Sequence, residues 1–255
     1  MLRPGRSVTV FAIGRSPAAR RAGTAIVAIA MSRQIIVADD HPLFREALKA
    51  AVGRLDPAIR FVEADSVATL LEVLENEPDA DLLLLDLNMP GAHGFNALVH
   101  VRGSRPGLPV VVVSAADDTA TIAGALRFGA QGFISKSTEA GQISRAVEAV
   151  LAGEIYTPSG FHSPRTEAAG EEDLRVARRV AELTPQQFRV LGMLCAGMLN
   201  KQIAYDLDVS EATVKAHVTA ILRKLSVATR TQAVLAAGRL AVDRRSIKPP
   251  PEDTD

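Results

Sequence analysis

Residues 82–91 read LLLLDLNMPG. Four leucines run straight into a carboxylate at Asp86, and Met89-Pro90-Gly91 turns the chain immediately afterwards. A continuous apolar run of this length predicts a strand covered on both faces, which means a parallel sheet with helices on each side. Burying a charge is costly unless it is paired. Asp86 therefore has to find its compensation elsewhere in the chain.

The same alternation extends on both sides of that stretch. Gln34–Ala38 (QIIVA), Ile59–Glu63, Leu82–Leu85, Pro109–Val113 (PVVVV) and Gly132–Ser135 predict five strands. Helical spacing falls between and after them, at Leu43–Leu55, Val67–Asn76, Phe95–Val101, about 118–128, and Ala140–Leu151. Ser66 suits an N-cap and Pro42 a first helical turn. Five strands alternating with five helices predict an α/β domain over residues 33–153, a parallel (βα)5 sheet of flavodoxin-like type.

Residues 154–182 hold Pro, Gly, Ser and mixed charge, including Glu171-Glu172-Asp173, and predict a linker that is helical in its second half, Leu174–Leu183. From Leu183 onward every segment is helical: Pro185–Ala196, Lys201–Leu207, Glu211–Leu225 and Arg230–Leu240, with Thr184 and Ser210 as N-caps. An all-α domain of four helices over 183–245 follows. Residues 246–255, rich in proline and acid, predict a disordered tail. Residues 1–32 predict a disordered extension or an upstream start: five arginines and no acid precede Met31, the expected native start, and the run ending Ala28-Ile29-Ala30 only faintly resembles an export signal.

Composition narrows the function classes. No apolar run is long enough to cross a bilayer, and the lone Cys195, which has core spacing and reads as buried and inert, excludes a disulfide framework. A cytoplasmic protein without a membrane partner is expected. The formal net charge of zero conceals a division. Residues 33–153 carry 10 Lys/Arg against 16 Asp/Glu, whereas 183–248 carry 10 against 4. The basic half predicts a polyanionic partner.

In parallel α/β sheets chemistry gathers at the carboxyl ends of the strands. Those ends carry Asp39-Asp40, Asp86, Ser114 and Lys136. Three converging carboxylates repel each other, and a hard divalent cation such as Mg²⁺ relieves that repulsion. A cation and an ammonium beside a nucleophilic carboxylate point to phosphoryl chemistry.

The stretches VADDHPLFREAL, LLLLDLNMPG, VVVVSAADD and GFISKST together resemble the receiver domain of bacterial two-component response regulators, over about residues 33–153. The resemblance implies Asp86 as phosphoacceptor, with Mg²⁺ held by Asp39, Asp40, Asp86 and the backbone carbonyl of Asn88. It implies Lys136 as partner of the acyl phosphate, Ser114 as the switch hydroxyl, and Phe133 as a switch aromatic that turns inward when Ser114 moves. Ala115, beside Ser114, is small enough to admit a phosphodonor. Phosphatases of the dehalogenase type also place an aspartate after an apolar strand, but they need a second acid two positions on. Asn88 stands there and cannot transfer a proton. The domain therefore reads as a self-modifying switch and not as an enzyme acting on external phosphoesters.

Residues 183–234, LTPQQFRVLGMLCAGMLNKQIAYDLDVSEATVKAHVTAILRKLSVATRTQAV, closely resemble the LuxR-type helix-turn-helix domain. Core spacing takes Val214, Val218, Ile221, Leu222 and Leu225 inward and leaves Thr213, Lys215, Ala216, His217, Thr219 and Arg223 on other faces. With Lys201 and Lys224 these are the candidate DNA contacts. The last helix offers a small apolar face, and the resemblance implies dimerisation through Ala233, Val234, Ala237 and Leu240. The whole chain thus resembles a NarL/FixJ-type response regulator. Such a protein is phosphorylated on aspartate by a sensor histidine kinase and binds DNA as a homodimer. The alternative is a phosphorylation-independent DNA-binding protein whose receiver only dimerises or docks partners.

Overall fold

A computed structural model of the protein describes residues 33–162 and 171–242. The readings for residues 1–32 and 246–255 lie outside the described residues. The first body contains β1 (Gln34–Ala38), α1 (Pro42–Val52), β2 (Arg60–Ala64), α2 (Val67–Asn76), β3 (Leu82–Asp86), α3 (Asn96–Ser104), β4 (Val110–Ser114), α4 (Thr119–Arg127), β5 (Gly132–Ser135) and α5 (Ala140–Leu151). Its five strands form one parallel sheet in the order β2-β1-β3-β4-β5.

Strand alternation decides which face each leucine covers. Leu82 and Leu84 share a core with Ile35, Val37, Val111, Val113 and the inner faces of α1 and α5. Leu83 and Leu85 point the other way, into the core under α2, α3 and α4. All four are buried, at roughly 2 kcal/mol each. The predicted elements of this body are all present; β1, α2, β5 and α5 have the predicted ends, and the others shift. The clearest shift is that β3 runs one residue further than predicted, so Asp86 is its last residue.

The second body follows a linker that is helical in its second half, as predicted. Helix α6 (Glu171–Ala181) is no loose linker, because Val176, Ala177 and Val180 are buried and it packs along α3. The two backbones pass closely at Gly103 of α3, where a Cβ would lie 2.5 Å from that of Ala181. Then follow α7 (Pro185–Cys195), α8 (Asn200–Asp206), α9 (Glu211–Leu225) and α10 (Arg230–Gly238). Thr184 accepts a hydrogen bond from the Gln187 N–H, and Ser210 accepts one from the Thr213 N–H, so both predicted caps form. Between α8 and α9 Asp208 turns the chain at φ 51°, a conformation aspartate tolerates better than most residues.

The two bodies meet along α3. The His100 ring stacks on Phe188 of α7 with centroids 4.2 Å apart and planes 3° from parallel. His93 Nε2 lies 3.2 Å from the Gly192 carbonyl. The Phe95 N–H donates to the Leu240 carbonyl at 2.8 Å, and the Asn96 side-chain amide donates to those of His93 and Ala237. Burial at this seam lowers the His100 pKa from its ordinary 6.5 to about 4. The folded protein thus keeps the imidazole neutral while the unfolded chain protonates below pH 6.5. The resulting stability is complete above that pH and is lost as pH falls towards 4, by about 3 kcal/mol. His100→Phe, which keeps the stack, should flatten that part of the acid-side fall in melting temperature. Wild-type and variant curves that stay parallel from pH 7 to 4 would exclude the effect.

Candidate functional site

The sheet order places β1, β3, β4 and β5 side by side, so their carboxyl ends bring Asp39, Asp40, Asp86, Ser114 and Lys136 to one edge. Lys136 Nζ lies 2.7 Å from Asp39 Oδ2 and 2.9 Å from Asp86 Oδ2. Asp86 Oδ1 accepts from the Asn88 N–H at 3.0 Å. The ammonium also lies over the Phe44 ring, 5.0 Å from its centroid.

The predicted strand stops at Leu85; in the structure Asp86 closes the strand and is 1% exposed. The Lys136 ion pair and the Asn88 N–H offset that burial. Desolvation nevertheless raises the Asp86 pKa above its ordinary value, against the pull of Lys136. Burial alone would lower the Lys136 pKa, but the Asp39 hydrogen bond and the Asp86 charge hold it above its usual range.

Donor atoms of Asp39, Asp40, His41 and Asp86 all lie within 4.8 Å of one another. Asp39 is buried, and its Oδ2 is paired with the Lys136 ammonium while Oδ1 faces His41. Carboxylate oxygens clustered at this spacing fit a hard divalent cation. Asn88 and Ala115 border a cavity of about 500 Å³ that reaches across to Cys195, Val234 and Val242 of the second body.

The switch residues are placed differently from the simple expectation. Ser114 is fully buried, and its hydroxyl accepts from the Ala116 N–H at 3.2 Å. Phe133 is already inside, at 0% exposure, in the core that holds Ile122, Ala125 and Phe128. In this structure the phenyl ring, which has no hydroxyl to hold in water, takes the inward pose.

On α9 the side chains of Thr213, Lys215, Ala216, Thr219 and Arg223 are exposed, as is Lys201 on α8. His217 and Lys224 are half-buried; the Lys224 ammonium donates to the Glu182 carbonyl at 2.7 Å. The Thr219 hydroxyl donates to the Lys215 carbonyl, which uses its one proton inside the helix. Of the residues expected to dimerise, Ala233, Ala237 and Leu240 are fully buried and Val234 is half-buried against the cavity. That face is occupied in this arrangement, while Leu235 on the same helix is exposed. Cys195 is half-buried, and desolvation pushes its thiol up to about 11, which leaves it unreactive.

Several residues of consequence went unread in the sequence: His41 at the acidic pocket, and His93, Gly94, Asn96 and His100 at the seam. His41 follows the acidic pair directly, which is a usable signal. The seam residues carry no local signal, since each looks like ordinary helix or turn.

Two family models match the chain: the response regulator receiver domain over residues 35–148, and the bacterial regulatory proteins of the luxR family over residues 181–237. The glycerol metabolism activator of Pseudomonas putida is 42% identical over 209 residues, covering 80% of this chain and 95% of that protein. The nitrate/nitrite response regulator NarL of Escherichia coli K12 is 32% identical over 202 residues, covering 79% and 93%. Among solved structures, RcsB of Salmonella enterica serovar Typhimurium, bound to a promoter in the presence of a beryllofluoride phosphomimetic, aligns with a TM-score of 0.49 at 21% identity, over 82% of this chain and all of that one. With a receiver sheet ending in an acidic pocket and a helix-turn-helix behind it, the chain belongs to the NarL-type response regulators, DNA-binding transcription regulators of two-component systems controlled by phosphorylation.

Proposed function

We propose that Asp86 is the phosphoacceptor and that a sensor histidine kinase in the cytoplasm is its donor. The observation that carries this reading is the Asp39–Lys136–Asp86 bridge, an ammonium held between two carboxylates at the carboxyl edge of the sheet. A carboxylate oxygen of Asp86 attacks phosphorus, the donor's leaving group departs with its electron pair, and an acyl phosphate results. Lys136 stays charged and pairs with a phosphoryl oxygen. Ser114 donates its hydroxyl proton to another, once it gives up the turn it makes with the Ala116 N–H. Asp39, Asp40, Asp86 and the Asn88 carbonyl would hold Mg²⁺, which when bound supplies charge neutralisation for the transferring phosphoryl group. The chain's own chemistry ends there: Asn88 offers no acid for hydrolysing external phosphoesters, so the domain is a switch.

Phosphorylation is coupled to DNA binding through the seam. Freeing the Ala233–Leu240 face lets two copies pair and set two α9 helices on neighbouring half-sites, with Lys215, Ala216, Thr219 and Arg223 towards the groove and Lys201 and Lys224 near phosphates. Beryllofluoride with Mg²⁺ tests this. The expected result is a monomer–dimer shift in sedimentation and DNA affinity raised about tenfold or more, both reversed by EDTA. Equal affinity with and without the mimic would support phosphorylation-independent binding instead.

A further inference from the structure

His41 stands at the acidic pocket yet has no part in the phosphoryl transfer described above. Its Nδ1 lies 2.7 Å from Asp40 Oδ1 and 3.2 Å from Asp39 Oδ1. Its position is set by the backbone, since it caps α1 ahead of Pro42 and its own N–H donates to Asp39 Oδ1 at 2.8 Å. Lys136 engages the opposite oxygens, Oδ2 of Asp39 and of Asp86. The pocket therefore has two sides. One is closed by the ammonium, and the other presents a nitrogen donor beside carboxylate oxygens.

An octahedral cation with bonds of about 2.1 Å places adjacent donors about 3 Å apart. The two Nδ1–oxygen distances bracket that spacing, and the donors of all four side chains fit inside 4.8 Å. Mg²⁺ prefers oxygen and water and gains little from imidazole, whereas Ni²⁺ and Zn²⁺ accept it readily and Mn²⁺, larger and softer than Mg²⁺, takes it beside oxygen ligands. We propose that His41 Nδ1 is an inner ligand for a borderline divalent cation, so that this pocket holds Mn²⁺ or Zn²⁺ through Asp40, Asp86 and His41 more tightly than it holds Mg²⁺. The inference rests on the reading of the pocket as a cation site and adds the donor that sets its preference. If His41 merely orients the carboxylates by hydrogen bonding, every cation is affected alike.

His41→Asn separates the two, because its amide nitrogen can keep the hydrogen bond while the imidazole is lost. The side chain is mostly exposed, so the variant should fold. Full-length wild type and variant are titrated calorimetrically with Mg²⁺ and with Zn²⁺, and the Mn²⁺-loaded proteins are examined by pulsed EPR. Expected is a ¹⁴N coupling on Mn²⁺ in the wild type that vanishes in the variant, with Zn²⁺ affinity falling about tenfold or more and Mg²⁺ affinity unchanged. The proposal is overturned by a wild-type Mn²⁺ signal without nitrogen coupling, or by Zn²⁺ and Mg²⁺ affinities that fall together. Absence of Mg²⁺ binding in the wild type would instead remove the cation-site reading beneath it.

Discussion

Asp86→Asn should abolish labelling by acetyl phosphate altogether. An amide oxygen is a poor nucleophile at phosphorus, and the substitution also removes one of the two carboxylates that flank Lys136. The fold should survive, because asparagine is nearly isosteric and still accepts the Asn88 N–H. Loss of the charge even relieves the desolvation that raises the Asp86 pKa. Melting temperature should therefore hold or rise while phosphorylation disappears, a combination that a folding defect cannot produce. Persistent label on the variant would mean that a different residue is modified.

Gly94→Ala should release the DNA-binding body without phosphorylation. Gly94 adopts φ +64°, where an L side chain costs about 1 kcal/mol. Its Cβ would lie 2.4 Å from the Leu240 carbonyl oxygen and 2.5 Å from Ala241 Cα and Val242 N. All three are backbone atoms of the second body, so they cannot rotate away. The three nearest atoms all belong to that body, and the cheapest response is separation. The hydrogen bonds from Phe95 and Asn96 to Leu240 and Ala237 then go with it, each worth about 1 kcal/mol. Expected are a larger radius of gyration in solution scattering and a phosphate-free DNA affinity at least about tenfold above wild type. A variant as compact as the wild type, with unchanged DNA affinity, would show that this contact does not restrain the second body.

The sequence made the receiver edge legible because strand periodicity decides which residues end each strand, and five polar residues ended four of them. Asp39, Asp40, Asp86 and Lys136 all arrive where that pattern puts them. The depth of Asp86 did not show, because burial depends on where a distant lysine reaches. The seam was invisible for a similar reason. His100 and Phe188 stand far apart in the chain, and α6 looks polar until α3 covers its Val176–Val180 stripe. The small-residue face of α10 was visible, but which partner covers it cannot be told from spacing.

The His100–Phe188 stack also gives the molecule a built-in reporter. A ring lying flat over another sits in its shielding cone, so the carbon-bound protons of the His100 imidazole should resonate upfield of those of the other histidines. The chain has five histidines and no tryptophan, so its histidine NMR spectrum is sparse and its intrinsic fluorescence weak. One imidazole resonance returning to its ordinary position would report the two bodies parting at this contact, in real time and with no label attached.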